Sequence, residues 1–420
     1  MDEIKEILEL LNPWWKDNKI SGELAKPYKR KAFSGVLKLL GYRQIVVLSG
    51  LRRVGKTTLL YQVIEHLLEK TDPRHILYFN FDKKVGELIE ILDDYAELTN
   101  VDWRKENIFV FFDEIAKLDE WARKVKLVYD ASPNIKFLVS SSSSIGLEEE
   151  AIKNLAGRYF LKNIRPLSFT EYLELRKKNR FLENPGLWEK EIKKEFERYL
   201  LRSFPEIVGW GDELLVKDYL RTMIIDKIVR SDLPEKFGNV SRDLLFSLLG
   251  IFYSEPGMYL DYDSISRKLR ISKKTLVSHI FYLESSYLLK RIRNYRVGTL
   301  TSSKKLQRLY PNWWTLAYCY TDNYDKIMEN VVASSLDAKY YWRKNGKELD
   351  FLGVEKKKTL PIEVKNKNEL AKNDLRNMEY FLRKYKVDEG LVIYNGEEGE
   401  IKLEKSKRIR FIPLWKWLLG

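Results

Sequence analysis

Cysteine, histidine and long apolar runs are all scarce in this chain. Its 420 residues include one cysteine, Cys319, which excludes a disulfide framework and a cysteine zinc site. The three histidines do not cluster, so no histidine metal site is predicted. No apolar run approaches the roughly 18 residues of a membrane span, and the N-terminus lacks a signal-peptide pattern. A cytoplasmic protein with no membrane partner is therefore expected.

Basic residues are abundant. Lys and Arg number 75 against 61 Asp and Glu, which gives a formal charge of +14. An excess of this size favours an anionic partner once the charge is located on the chain. The length allows two to four domains, each with its own core.

A phosphate-binding motif stands between a short apolar strand, residues 45–48, and a helix, residues 58–65. The motif is G-x-x-x-x-G-K-[ST] in strand–loop–helix context, which is typical of a P-loop. Glycine amides can surround phosphates, Lys56 can reach the β- and γ-phosphates, and the Thr57 hydroxyl can bind Mg²⁺. ATP and Mg²⁺ are the predicted cofactors, and the predicted nucleotide contacts are Gly50, Arg52, Arg53, Val54, Gly55, Lys56, Thr57 and Thr58.

A second apolar strand, residues 108–112, ends in Asp113 and Glu114. This is a Walker B pattern, in which Asp113 holds Mg²⁺ and Glu114 orients or deprotonates the attacking water. A third strand, residues 134–139, ends in the serine run 140–144, where a polar side chain could sense the γ-phosphate.

The chain resembles archaeal and bacterial AAA-type ATPases that carry a C-terminal nuclease-like domain. The stretches that carry the resemblance are Gly50–Thr58, Phe111–Ile115, Trp121, the serine run, Leu155–Arg158 and Arg165–Phe169. The family usually has Thr-Gly-Ser-Ser where this chain has four serines, and Ser142 is the chosen phosphate sensor. The resemblance also implies that Arg158 is an arginine finger toward a nucleotide in its own or a neighbouring subunit, which is compatible with a homo-oligomer. The alternative for Arg158 is a surface arginine in a salt bridge.

The implied fold is α/β, with a P-loop AAA-type core, a helical lid, a winged helix-turn-helix and a C-terminal α/β restriction-endonuclease-like domain. Trp14 and Trp15 are expected to pack on the core, with a contact to a neighbouring subunit as the alternative. The predicted domains are 1–36 for an N-terminal segment, 37–165 for the core, 166–239 for the lid, 240–300 for the winged helix and 301–420 for the nuclease-like domain.

Helices at 243–253, 261–269 and 273–287, followed by a strand pair over 288–297, predict the winged helix. Residues 258–310 contain twelve Lys and Arg against three Asp and Glu, so much of the basic excess lies here. The third helix is expected to expose Lys273, Lys274, Thr275, Ser278 and His279. The predicted DNA-binding residues are Lys273, Lys274, Arg291 and Arg293, with protein contacts alone as the alternative.

The C-terminal part contains the pattern D-x₁₂-E-x-K, which resembles the nuclease fold of Holliday-junction resolvases. Residues 348–352 and 359–365 are expected to form paired strands between helices 325–338 and 369–385, with 390–394 as the last strand. Glu363 and Lys365 then share one strand face beside Asp350. Two carboxylates can bind Mg²⁺ and the lysine can stabilise charge. The predicted site is Glu329, Asp350, Glu363 and Lys365, with the first three as metal ligands.

The resulting function is an ATP-hydrolysing AAA-type ATPase that acts on DNA, with branched DNA among the candidate substrates. Its catalytic residues are Lys56, Glu114, Ser142 and Arg158. Whether the nuclease-like domain cleaves DNA is left open. The alternative is a nucleotide-dependent switch that binds protein partners through a catalytically inactive nuclease-like docking domain.

Overall fold

A computed structural model describes residues 2–82, 86–142, 147, 150–295, 306–355, 358–403 and 406–420. The chain divides into two compact units, Met1–Pro166 and Leu167–Gly420, each held together by contacts among its own residues. In this described part, no helix combines the length and hydrophobicity needed to cross a membrane.

The first unit alternates helices and strands. Its helices are α1 Asp2–Leu11, α2 Trp14–Asp17, α3 Gly22–Ala25, α4 Lys31–Leu40, α5 Lys56–Leu68, α6 Leu88–Thr99, α7 Trp121–Ala131 and α8 Glu150–Asn154. Its strands are β1 Ile45–Ser49, β2 Ile76–Asn80, β3 Ile108–Asp113, β4 Ile135–Ser141 and β5 Tyr159–Asn163.

These five strands form one parallel sheet in the order β2-β3-β4-β1-β5. Strands β1 to β4 are buried along almost their whole length, which explains why they appear in the sequence as continuous apolar runs. Parallel strands bring their carboxyl ends to one edge of the sheet, where ligand-binding loops gather. The α/β class is confirmed, and the loops after β1, β3 and β4 meet at that edge.

The N-terminal segment covers the edge strand β2. Asn12 donates a side-chain hydrogen bond to Tyr78 O at 2.9 Å and accepts one from Tyr78 N at 2.7 Å. The indole N–H groups of Trp14 and Trp15 both donate to Ile76 O, at 3.1 and 2.9 Å. An edge strand otherwise leaves backbone groups unpaired. The expected packing of the two tryptophans on the core is therefore what the structure has.

The second unit contains more helices and two sheets. Its helices are α9 Phe169–Leu175, α10 Asn179–Glu183, α11 Glu189–Leu201, α12 Glu213–Tyr219, α13 Leu233–Phe237, α14 Arg242–Ser254, α15 Tyr262–Leu269, α16 Lys273–Ser285, α17 Trp314–Ala317, α18 Tyr324–Ser335, α19 Arg376–Tyr385 and α20 Leu414–Trp417. Its strands are β6 Met258–Tyr259, β7 Leu289–Asn294, β8 Arg308–Pro311, β9 Tyr340–Lys344, β10 Lys347–Leu349, β11 Phe351–Glu355, β12 Lys358–Val364, β13 Glu389–Tyr394, β14 Gly399–Lys402 and β15 Arg408–Pro413.

One sheet of this unit has the order β10-β9-β7-β8-β6 and the other β11-β12-β13-β15-β14. The first combines strands from the predicted winged helix with strands from the predicted nuclease-like domain. Asn294 of β7 adds two hydrogen bonds to the backbone of Arg343, at 3.1 and 3.0 Å. The predicted boundary at residue 300 falls in 296–305, outside the described residues. The finer domain boundaries stay predictions.

Two expectations about the C-terminal strands were wrong. The single strand predicted over 348–352 is interrupted at Asp350, because β10 pairs with β9 whereas β11 pairs with β12 in the other sheet. Residues 390–394 are not the last strand, since β14 and β15 follow. In β15 the buried Ile409 and Phe411 alternate with exposed arginines, a period-2 signal that was readable in the sequence.

Helices α14, α15 and α16 follow in the predicted order, and β7 pairs antiparallel with β8. The strand pair predicted over 288–297 was wrong, because residues 289–294 form the single strand β7 and its antiparallel partner β8 lies at 308–311; residues 296 and 297 lie outside the described residues. His279 was expected to be exposed, and this expectation was wrong. Its ring is buried, with Nδ1 2.8 Å from Thr275 O and Nε2 accepting from Ser241 N at 3.3 Å. The winged-helix assignment stays a prediction.

We expect Asn12→Ala to lower the free energy of unfolding of the first unit by about 2–4 kcal/mol, because two buried backbone groups of Tyr78 lose their partner and each unsatisfied group costs about 1–3 kcal/mol. Denaturant unfolding would measure the loss, and hydrogen exchange at the Tyr78 amide would localise it. The control is Asn163→Ala, on the exposed end of β5. Unchanged exchange at Tyr78 would contradict this account of the edge.

Candidate functional site

The loop after β1 has the backbone geometry of a phosphate cradle. Gly50 has φ +148°, and a Cβ there would lie 2.1 Å from Ile164 O, so a side chain is excluded. Gly55 has φ +92°, and a Cβ there would meet no atom within 4 Å. The amide of Gly55 therefore borders open space at the start of α5. The helix N-terminus adds unpaired N–H groups and a positive dipole end.

Lys56 begins α5 and is buried. Its ammonium group donates to Gly50 O and Leu51 O, both at 3.0 Å, which holds the side chain along the loop. Val54 is anchored from outside the motif, since its carbonyl accepts from the Arg30 guanidinium at 2.8 Å. Arg30 was not predicted, and no local sequence pattern marks it. The remaining predicted contacts, Arg52, Arg53 and Thr58, lie in the same loop and the first turn of α5.

Asp113 ends β3 and has a buried carboxylate. The hydroxyls of Thr57 and Tyr78 donate to its Oδ2 at 2.6 and 3.1 Å. Ser140 and the backbone N–H of Glu114 donate to its Oδ1, the latter at 3.1 Å. Tyr78 was not predicted as a site residue, because within the apolar strand β2 it looks like a core residue.

Glu114 adopts φ +50°, a left-handed conformation that turns the chain sharply after β3. Ser142 donates to its Oε2 twice, from the backbone N and from Oγ, both at 3.0 Å. Burial raises the pKa of the Glu114 carboxyl, Lys56 opposes the rise and Asp113 adds to it. Ser142 therefore contacts the predicted base, whereas Ser140 contacts Asp113. Ser143 and Ser144 lie outside the described residues.

Arg158 is separate from this network. Its guanidinium pairs with Asp130, Nε to Oδ1 at 2.9 Å, and the side chain is partly exposed. This surface ion pair was the alternative that the sequence left open. The role as an arginine finger stays a prediction.

The predicted nuclease residues come together in the second unit. Asp350 Oδ2 accepts from Val364 N at 2.8 Å, and Lys365 donates to Glu363 Oε1 at 2.6 Å. Burial raises the pKa of Asp350 well above its usual value, and the carboxylates of Glu363 and Glu329 add to the rise. The D-x₁₂-E-x-K spacing thus brings Asp350, Glu363 and Lys365 next to one another.

Arg308 of β8, which was not predicted, enters the same cluster. Its Nη2 donates to Glu329 Oε1 at 2.6 Å, and its Nη1 lies 3.5 Å from Glu348 and 4.0 Å from Asp350. Within the described ranges, no group of three or more His, Cys, Asp or Glu side chains is arranged to hold a metal ion. The metal-binding role predicted for Glu329, Asp350 and Glu363 stays a prediction.

The predicted DNA-binding residues differ in their surroundings. Lys274 and Arg293 are exposed, on α16 and β7. Lys273 is exposed but pairs with Asp263. Arg291 is half-buried, and both of its outer nitrogens and Nε donate to neighbours, chiefly to Glu284 at 2.8 and 2.6 Å. Its side chain stabilises the fold and presents little to solvent.

Residues 42–173 match a family model described as an AAA domain. This stretch, which contains the P-loop, is therefore similar to AAA-type ATPase domains. Two further models, for residues 193–311 and 324–417, are both described as domains of unknown function, DUF8612 and DUF4143. The restriction-endonuclease-like fold predicted for the C-terminal part therefore stays a prediction.

Similar proteins occur in archaea and bacteria. The uncharacterized proteins MJ1544 and MJ1637 of Methanocaldococcus jannaschii are each 28% identical, over 90% of this chain and 88% and 85% of their own lengths. An uncharacterized protein of Haemophilus influenzae is 26% identical over 76% of this chain and 82% of its own length. None of these names gives an activity.

Solved structures that match this chain at low similarity include the ORC2 protein of Aeropyrum pernix in its ADP form, at 14% identity and a TM-score of 0.33, covering 71% of this chain and 93% of that one. CDC6P of Pyrobaculum aerophilum has 13% identity and a TM-score of 0.31, with 70% and 94% covered. At such low scores the AAA assignment rests on the family model and the loop geometry.

We expect Tyr78→Phe to weaken Mn²⁺ binding in the presence of ADP by about 10–100-fold, because Asp113 loses a partner that orients its carboxylate. Electron paramagnetic resonance of free Mn²⁺ measures the affinity. Tyr95→Phe is the matched control, since this buried hydroxyl donates to Arg74 O at 2.6 Å. Equal affinities for the two variants would mean that Tyr78 does not position Asp113.

Proposed function

We propose that the first unit binds ATP and hydrolyses it to ADP and phosphate. The observation that carries the proposal is that two carboxylates, each held by its own hydrogen-bond donor, lie beside the loop after β1. Asp113 is bound to Thr57 at 2.6 Å, and Glu114 is held by Ser142 at 3.0 Å. A cation-binding acid and an oriented base next to a phosphate loop are the groups that phosphate transfer to water needs.

The phosphates would occupy the loop between Gly50 and Lys56. Gly55 supports this, because its positive φ and the open space beside it allow a backbone amide to approach an oxygen closely. Binding would exchange the two carbonyl contacts of Lys56 for contacts with the nucleotide. The loss and gain of hydrogen bonds are then balanced, while the ammonium charge gains an anionic partner.

The hydroxyl of Thr57 and the carboxylate of Asp113 fit Mg²⁺, since both are hard oxygen donors and lie 2.6 Å apart. Bound there, Mg²⁺ would neutralise charge on the phosphates. Tyr78 and Ser140 fix the carboxylate that holds it.

Glu114 is the proposed base. Ser142 donates both of its hydrogen bonds to Oε2, which leaves Oε1 to accept a proton from the attacking water. Burial raises the pKa of this carboxyl, which makes it a stronger base and brings its pKa closer to the working pH. For Arg158 to act as an arginine finger, its ion pair with Asp130 must first break.

For the second unit we propose DNA as the partner, with both duplex and branched forms as candidates. Lys274 and Arg293 support this, because both basic side chains are exposed near the predicted recognition helix. A protein partner is the second candidate. It is favoured by Val277 and Phe281, which expose 47% and 41% of their surface on α16. Apolar side chains at such positions are more usual in protein contacts than in phosphate contacts.

We expect Glu114→Gln to lower the rate of ATP hydrolysis about 10²–10⁴-fold while nucleotide affinity changes little, because the amide oxygen can still accept from Ser142 but cannot take a proton. Single-turnover hydrolysis and equilibrium binding of a fluorescent nucleotide measure the two effects. Lys56→Ala is the contrasting variant, in which binding itself should fail. Hydrolysis by Glu114→Gln at the wild-type rate would refute the assignment of the base.

We expect the double variant Lys274→Ala with Arg293→Ala to bind DNA with a weaker salt dependence. The slope of log affinity against log salt concentration should become shallower by about 1.8, since each lost phosphate contact removes about 0.9 on duplex. Fluorescence anisotropy on duplex and branched DNA would measure the slope. The control pair Lys190→Ala and Lys194→Ala removes the same charge from the exposed side of α11. If both pairs change the slope equally, the effect is one of net charge and the surface lies elsewhere.

A further inference from the structure

The acidic cluster of the second unit surrounds a buried arginine. Arg308 is 5% exposed, although it is a charged residue. Its Nε donates to Gly257 O at 2.8 Å, and its Nη2 donates to Glu329 Oε1 at 2.6 Å. Tyr310 donates to the same Glu329 oxygen at 2.6 Å. A buried cation requires partners of this kind, since desolvation of an unpaired guanidinium is prohibitive.

Aromatic rings hold the guanidinium in place. The rings of Tyr259, Tyr310 and Tyr341 have their centroids 5.8, 5.2 and 5.7 Å from Arg308 Cζ. Contacts of this length with the faces of aromatic rings stabilise a cation, more so away from water. The side chain is therefore fixed from several directions and does not sample the open positions of a surface arginine.

This arrangement bears on the metal that the D-x₁₂-E-x-K pattern implies. Glu329, one predicted ligand, has its Oε1 bound by Arg308 and by Tyr310. Asp350, a second ligand, has one oxygen bound by a backbone amide and the other 4.0 Å from Arg308 Nη1. A divalent ion beside Asp350 would lie within a few ångströms of a fixed positive charge. The residues present therefore do not fit a divalent metal while Arg308 is in place.

We propose that Arg308 is the cation that Glu329 and Asp350 share and that it excludes divalent metal from the position beside Asp350, while Glu363 has Lys365 as its own partner. Ion pairs of Arg308 then connect β8 to α18 and to the chain around Asp350. This reading goes beyond ATP hydrolysis and does not depend on it. It argues against metal-dependent nuclease activity in the second unit.

Removal of the arginine should open a site. Glu363 Oε2 is buried and has no hydrogen-bond partner among the described residues. Asp350 Oδ1 would lose the nearby guanidinium. These two oxygens are hard donors, one at the junction of β10 and β11 and the other on β12, and Mn²⁺ or Mg²⁺ prefers such ligands.

The test is a titration of full-length protein with Mn²⁺, followed by electron paramagnetic resonance, with Asp113→Asn in every protein to silence the P-loop site. Arg308→Met should bind one Mn²⁺ at least about a hundredfold more tightly than the parent, because a fixed like charge near 4 Å is gone. Arg308→Lys, which keeps the charge, should resemble the parent. Adding Asp350→Asn to Arg308→Met should abolish the new site.

Arg343→Met is the matched control. This arginine lies 3.8 Å from Glu348, at the rim of the same cluster, and its side chain is 39% exposed. Its removal should create no Mn²⁺ site. Mn²⁺ should also raise the melting temperature of Arg308→Met alone, because a ligand that binds the folded state stabilises it.

Two results would overturn the proposal. One is Mn²⁺ binding by the parent that Asp350→Asn abolishes, which shows that metal and Arg308 coexist. The other is a folded Arg308→Met that binds no Mn²⁺, which shows that the cluster is no metal site with or without the arginine. If Arg308→Met does not fold, the comparison of the parent with Asp350→Asn still decides whether metal enters the native cluster.

Discussion

The buried carboxylate of Asp113 is the constraint on which the nucleotide site depends. A charge removed from water must be hydrogen-bonded, and here the donors come from four different segments. Thr57 reaches it from α5, Tyr78 from β2, Ser140 from β4 and the amide of Glu114 from the turn after β3. The first turn of α5 and three strands of the sheet are therefore aligned to one anion, and a shift of any of them would remove one of its four donors.

The second unit depends on a buried charge of the opposite sign. Arg308 extends from β8 to carboxylates on α18 and near the junction of β10 and β11. The sheet that contains β8 also contains β7, β9 and β10. The segment predicted as a winged helix and the one predicted as nuclease-like are thus connected through backbone pairing and through the hydrogen bond that Arg308 donates to Gly257 O. A C-terminal fragment that begins after β8 would lose Arg308 and leave Glu329 buried without its cation.

The proposed nucleotide site could be recognised in the sequence because its chemistry is local. Lys56 and Thr57 stand next to the glycines they need, and Asp113 follows directly on a buried strand. Side chains that act across the fold carry no such signal. Tyr78 lies in an apolar strand like any core tyrosine, and Arg308 is one arginine in a basic stretch. The interruption at Asp350 was missed for the same reason, since strand partners in two different sheets cannot be inferred from one strand's composition.

The D-x₁₂-E-x-K pattern shows where local inference ends. It encodes register, and the register is present: Asp350 bonds the amide of Val364, and Lys365 bonds Glu363. The pattern encodes Lys365 as the partner of Glu363, but it does not encode Arg308, the cation beside Asp350 and Glu329. The choice of that cation depends on the total charge around them, and one side chain from β8 alters it. The same two acids can serve a metal or an arginine, so the spacing of a motif predicts the strands that present it before it predicts the chemistry they perform.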